Sequence, residues 1–240
     1  MFDAKSLLDQ FIGGQQQGRP GGHGSGDLLQ QATQALGGFS GGALTGGLAG
    51  LLLGSKGGRK LAGSALTYGG MAIAGALAYR AYQNWQRGKA ATTAAAGDTP
   101  LLPPPADTPF NPTSEAGQQA LGRNLLRAMI AAAKADGHID AAEQSNIFTQ
   151  MDRLNVRAED KAFVMDELRK PLDVDAVASA ARTPEEAAEL YTVSLLAIDV
   201  DNPAERAYLS LLAARLKLDD KLVAHLHATI DGSTQSTRIS

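Results

Sequence analysis

The chain has 240 residues, 44% of them hydrophobic, and a net charge of −3, which suits one or two domains. It has no cysteine, so disulfides, thiolate zinc sites and a cysteine nucleophile are excluded. The charge is unevenly divided. Between Asp27 and Asp98 there is no acidic residue but six basic ones, whereas from Ser114 onward 14 Lys/Arg stand against 20 Asp/Glu, so the two parts are expected to meet different environments.

The start, Met-Phe-Asp, lacks the basic-then-apolar order of a secretory signal. Phe2, Leu7, Leu8 and Phe11 recur at near-helical spacing and predict a short amphipathic helix over 2–12. It reads either as a mobile terminal helix, marginal alone, or as a surface contact for a membrane or partner. The Gly/Gln-rich stretch 15–26 reads as a flexible linker.

Two uncharged runs follow, 39–54 and 61–79, separated by Ser-Lys-Gly-Gly-Arg-Lys. The second is about the length needed to cross a bilayer core, and the first is shorter. Gly38, Gly42, Gly46, Gly50, Gly54 and Gly58 recur every fourth residue. In water that much helical glycine costs about 1 kcal/mol per residue relative to alanine, whereas in lipid a small-residue stripe lets helices approach closely. Gly70, Ala74 and Ala78 offer a matching face, and Tyr79, Tyr82 and Trp85, interleaved with Arg80 and Arg87, resemble an interfacial anchor. The expectation is a membrane helix or hairpin able to self-associate through the stripe; the alternative is a glycine-rich linker in water. The proline-rich stretch after Ala90, ending Leu-Leu-Pro-Pro-Pro-Ala-Asp-Thr-Pro-Phe-Asn-Pro, predicts an extended spacer.

Helical periodicity then takes over, with no alternating strand pattern. The apolar stripes are Leu125, Leu126, Met129, Ile130 and Ala133; Ile147, Met151 and Leu154; Phe163, Val164 and Leu168; Val174 and Val177; Leu190, Val193, Leu196, Ala197 and Val200; Leu211, Leu212 and Leu216; and Leu222, Val223, Leu226 and Ile230. Start signals agree. Thr183-Pro184-Glu185-Glu186 and Asn202-Pro203-Ala204-Glu205 each place a cap, a proline at the first helical position and a glutamate three after the cap. Asp140 to Glu143 is a further capping box, and Gly137 suits a helix terminus. About seven helices around one core are expected.

Two acidic turns stand out. Asp136-Gly137-His138-Ile139-Asp140-Ala141-Ala142-Glu143 matches the second half of a calcium-binding helical loop, but Ala132 and Lys134 occupy its first two carboxylate positions, which excludes the ordinary loop. Asp199-Val200-Asp201-Asn202-Pro203-Ala204-Glu205 again ends one apolar helix and opens another. Capping explains Asp140, Glu143, Asn202 and Glu205. Asp136 and Asp199 are expected at the negative end of a helix dipole, where a bound cation would relieve an otherwise disfavoured charge. The two readings, capped solvated turns and a divalent-cation site, both stand at this level.

This pair of motifs resembles the TerB-like domains of the tellurite-resistance group, and the preceding glycine-rich region resembles the YebE-like membrane proteins that carry such a domain, over roughly 38–230. The resemblance implies an all-α bundle, bacterial origin, a link to stress or tellurite resistance, and an acidic metal patch on Asp136, Asp140, Glu143, Asp199, Asp201 and Glu205, holding calcium or magnesium. It implies no known reaction. The expected organisation is a helix and linker over 1–37, a membrane segment over 38–89, a spacer over 90–113, a TerB-like all-helical domain over 114–232 and a disordered tail over 233–240. The expected place is the bacterial inner membrane, with the helical domain in the cytoplasm.

His225 and His227 are two apart, cannot form the i, i+4 zinc pair, and read as surface residues; His138 reads as a turn residue and His23 as a linker residue. Gly50 to Lys56 lacks the spacing and hydroxyl of a phosphate loop, and no Ser-His-Asp order is visible. The basic residues before the spacer fit anionic lipid better than nucleic acid. The expected function is therefore a membrane-tethered interaction or sensing module with a protein partner and no catalytic role. The alternatives are a metal-dependent enzyme using the acidic turns, or a soluble scaffold without metal.

Overall fold

A computed structural model describes residues 70–92, 102–137, 145, 158–198, 200 and 202–236. Among these residues there are seven helices and no strand: α1 (Gly70–Gln86), α2 (Glu115–Ala133), α3 (Ala158–Arg169), α4 (Val174–Ala178), α5 (Pro184–Ala197), α6 (Pro203–Arg215) and α7 (Asp220–Ser236). The all-α class expected from the periodicity is the one observed. The stripe Ile147, Met151 and Leu154, the glycine repeat from Gly38 to Gly58, the short helix expected over 2–12 and His138 lie outside the described residues.

The bundle is organised around α5, which packs against α1, α2, α4, α6 and α7. Every residue from Ala187 to Ala197 is buried. Its sequence, AAELYTVSLLA, is apolar or small on nearly all sides, and a helix without a polar face belongs in the middle of a core. The hydroxyls of Thr192 and Ser194 donate to carbonyls one turn back, Ala188 O at 2.8 Å and Leu190 O at 2.9 Å, so they enter the core already satisfied. On α2, Leu125, Leu126, Met129, Ile130 and Ala133 are all buried, as their spacing predicts. Leu211 departs from its expected stripe and is 45% exposed, because Leu209 and Leu212 already fill the inward face of α6.

Helix ends follow local chemistry. Ser114, Asp173, Thr183 and Asn202 cap α2, α4, α5 and α6 by accepting backbone N–H bonds. Glu186 reaches back one residue further than a standard capping box, accepting from Arg182 N at 2.7 Å. After α6, Lys217 adopts φ 55°, while Lys217 N and Leu218 N donate to Ala214 O and Ala213 O. That pair closes the helix and turns the chain sharply into α7.

The largest difference from expectation concerns α1. Its residues were assigned to the membrane segment, yet Ile73, Ala74, Leu77, Ala78, Ala81 and Tyr82 are buried against α5 and α7. The small-residue face expected to meet another membrane helix meets the bundle instead. The aromatic anchor is also committed inward. Tyr79 and Tyr82 pack edge-on against Phe110 at 5.6 and 5.7 Å, and Trp85 Nε1 donates to the Asp219 carboxylate at 3.2 Å. The physical reason is that α5 and α7 carry more apolar surface than α2, α4 and α6 cover, and α1 supplies the missing face. No helix among the described residues is long and apolar enough to cross a membrane.

The proline-rich stretch is not simply extended where it is described. Asp107 N donates to Asn111 O, Asn111 N to Thr108 O, and the Asn111 side-chain amide to Pro104 O. These bonds fold residues 102–113 into a strap whose buried Phe110 wedges over α1. At its other end, α1 terminates at Gly88, whose φ of 64° suits a residue without Cβ. The following residue, Lys89, offers its carbonyl to His225 of α7 at 3.0 Å.

Candidate functional site

The acidic turns are described only in part. Asp136 is exposed, two residues beyond the α2 C-cap Lys134, in a turn closed by Gly137 N to Lys134 O at 3.1 Å. Glu205 sits in the first turn of α6, where the helix dipole favours an anion, and is only 2% exposed. Asp140, Glu143, Asp199 and Asp201 lie outside the described residues. Among the described residues no group of three potential metal ligands comes together. Asp136 and Glu205 are therefore placed, one open to solvent and one enclosed, and the cation site is not assembled by them alone.

Beside this turn, Lys134 is buried and its ammonium donates to Glu167 O at 3.1 Å and to Lys170 O. These are carbonyls at the end of α3, so Lys134 serves as a side-chain cap at the negative end of that helix. Burial pulls the ammonium's pKa down; the neighbouring Glu167 opposes this and Lys170 adds to it. Glu167 is itself buried. Burial alone would raise its pKa, but hydrogen bonds from Lys170 at 2.6 Å and Arg127 at 3.2 Å, with their charges, bring it below the usual value. The small cleft around these residues, about 270 Å³, is walled by groups already engaged in holding α3 to α2.

A second cleft is better suited to receiving something. It lies between α6 and α7 with α5 as floor, encloses about 400 Å³, and is lined by Val200, Leu209, Ala213, Leu218 and Val223 with a few polar groups. At its base the Tyr191 hydroxyl meets His227 Nε2 at 2.9 Å. Burial pushes the Tyr191 phenol up to about 12, so it stays protonated. Burial also lowers the His227 pKa, against the pull of Asp231, which favours the neutral ring. Arg206 closes one wall through its donation to Val200 O at 2.9 Å. The arrangement is an apolar recess with one polar handle.

Sequence reasoning placed both histidines at the surface, but His225 is buried at 5% exposure and His227 is half-buried beside the cleft. Two residues apart, they face opposite sides of α7, but each side is covered, one by the end of α1 and the other by Tyr191. The signal was available in their apolar neighbours, Leu222, Val223, Leu226 and Ile230. The other residue missed is Glu189, an isolated acid in the apolar stretch of α5 and fully buried.

Comparison with known proteins places this architecture in a lineage. The chain is 36% identical over 96 residues to an uncharacterized protein in the ampR 5′ region of Yersinia enterocolitica, an alignment covering 40% of this chain and 69% of that protein. No solved structure matches it. A family model described as "Protein of unknown function (DUF533)" matches residues 38–230, from the glycine repeat through α7. The matched residues include α1 and the strap as well as the later helices; the chain belongs to the DUF533 family, within the TerB-like superfamily.

Proposed function

We propose that this protein is a non-catalytic helical interaction and sensing module that works at a membrane surface through its glycine-rich N-terminal region. The observation that carries the reading is the burial of α1, the helix that follows the glycine-rich region in sequence. The Tyr191–His227 cleft supplies an apolar recess with a fixed polar handle, which suits binding of a partner's side chain.

Seating α1 in the bundle shortens what is left for lipid. The second uncharged run keeps only residues 61–69, less than half the roughly 20 residues a span needs. Contact then falls to the uncharged run 39–54 and the basic Lys56, Arg59 and Lys60, a combination suited to an anionic interface. The full chain is expected to float with anionic phospholipid vesicles, and a chain starting at Gly70 is expected to remain behind. If both stay unbound, the membrane reading fails.

The acidic turns are proposed as the place for a divalent cation, on Asp136, Asp140, Glu143, Asp199, Asp201 and Glu205. Support comes from Glu205, an acid enclosed at the start of α6. A ligand that binds only the folded state adds about 2.7 kcal/mol at a hundred times its Kd. Calcium or magnesium is expected to raise the melting temperature of the full chain, and Asp136→Asn is expected to diminish that rise. An unchanged melting temperature at millimolar metal ends the cation proposal and leaves the interaction reading in place.

A further inference from the structure

Three elements meet at Gly75 on α1. A Cβ added there would lie 2.9 Å from the Phe110 carbonyl oxygen of the strap and 3.1 Å from Glu189 Oε1 of α5. The absence of a side chain thus lets a backbone carbonyl and a carboxyl group face the same small space. Glu189 is 0% exposed, and neither of its oxygens has a hydrogen-bond partner. Ionised, the carboxylate would sit without a partner in a setting that removes water; protonated, it carries a far smaller desolvation cost.

Among the described residues the charges that act on Glu189 include no compensating cation. Glu186, on the same helix, is the charged neighbour that acts on Glu189, and it adds repulsion. On α1, the Tyr82 hydroxyl is turned toward Glu185, and Arg80 is the basic group of that helix nearest the joint in sequence. On α7, His225 is bonded to Lys89 O and His227 to Tyr191. In the strap, Asp107 receives the Thr113 hydroxyl. On α2, Arg127 is paired with Glu167. Burial and Glu186 together push the Glu189 carboxyl well above its usual range.

We propose that Glu189 is a proton-dependent latch: its neutral carboxyl group holds α1 and the Phe110 strap against α5, and loss of that proton releases α1 from the bundle. The sign follows from linkage. Docked, Glu189 keeps its proton; with α1 lifted away and water admitted, it releases the proton at the ordinary carboxylate value. Between those two values, docking weakens as pH rises, by about tenfold in the equilibrium constant per pH unit for one proton. Below the ordinary value docking is at full strength, and above the docked value it weakens no further. The α1 helix links the glycine-rich N-terminal region to the core, so the latch would set how tightly one is coupled to the other. This inference does not depend on membrane contact or on a bound cation.

Hydrogen exchange on the full chain tests it, with the protection of α1 amides expressed relative to those of α6 across a pH series. In the native chain that ratio is expected to fall by about tenfold per pH unit within the titration window of Glu189, and in Glu189→Gln it is expected to stay flat. A flat ratio in the native chain, an equal fall in the variant, or a joint loss of α1 and α6 protection would each overturn the latch. Trp85, the single tryptophan, sits on α1 against Asp219 and gives a second measurement on the native chain alone. Its emission is expected to shift to the red, and its quenching by acrylamide to rise, as pH increases while far-ultraviolet circular dichroism holds. An unchanged Trp85 signal across that range rejects the latch even if the variant does not fold.

Discussion

A chain beginning at Ser114 is expected to melt cooperatively but at a clearly lower temperature than a chain beginning at Gly70. The cut removes Ile73, Leu77 and Tyr82, all buried, together with the small residues that let α1 lie close to α5. Burying each large side chain contributes about 1.5–3 kcal/mol, so the three together contribute roughly 5–9 kcal/mol. Such area-based figures are upper bounds, and the helices that remain packed on α5 keep a transition of their own. The cut also strips the strap, whose Phe110 is 5% exposed, and leaves α5 and α7 presenting apolar surface to water. Thermal melts followed by circular dichroism, with a check for aggregation by light scattering, would decide the matter. A Ser114 chain that melts cooperatively, at the same temperature as the longer one, would show that α1 adds nothing to the core.

Gly75→Val is expected to destabilise the native chain by about 3 kcal/mol, the upper part of the range for forcing extra atoms into a packed core. The reason is positional. The first added carbon would meet the Phe110 carbonyl at 2.9 Å, and that atom is backbone, which cannot swing aside as a flexible side chain would. The next neighbours, Glu189 Oε1 at 3.1 Å and Pro104 Cγ at 3.6 Å, block the other directions. Relief requires α1 to lift or the strap to move, and either opens the Tyr79–Phe110–Tyr82 contact. For a protein of this size the melting temperature should fall by about 2–4 °C for each kcal/mol. Gly75→Ala should cost less, because alanine's better helix propensity returns up to about 1 kcal/mol. If valine leaves stability unchanged, α1 is not seated against the strap.

Much of the bundle was legible before any coordinates. The spacing of Leu125, Leu126, Met129 and Ile130 marked the buried face of α2, and Thr183-Pro184 marked the start of α5. Such features are local: side chains three or four apart share a face, and a cap satisfies N–H groups within its own turn. The near absence of polar residues along α5 also pointed to a central position, since no face of it is suited to water. Of the acidic turns, only Asp136 and Glu205 are described, and their different exposure could not be read from two motifs that look alike as strings.

The apolar runs near the beginning show where such reading stops. Glycine, alanine and tyrosine at helical spacing suit a lipid-facing helix and a tightly packed core helix equally well, because both solvents are poor in water and both reward close approach. Composition recorded that α1 avoids water; it held no information about which apolar surface α1 would meet. The same holds for His225, His227 and Glu189, whose environments come from residues roughly 36 to 136 positions away in the chain. By itself the sequence determined the helices, their caps and their inward faces, since these depend on neighbours within a turn or two. Only the tertiary structure decided that α1 completes the bundle and that a buried carboxyl group lies at its joint, since apolar burial has no direction and needs a partner surface before it has a place.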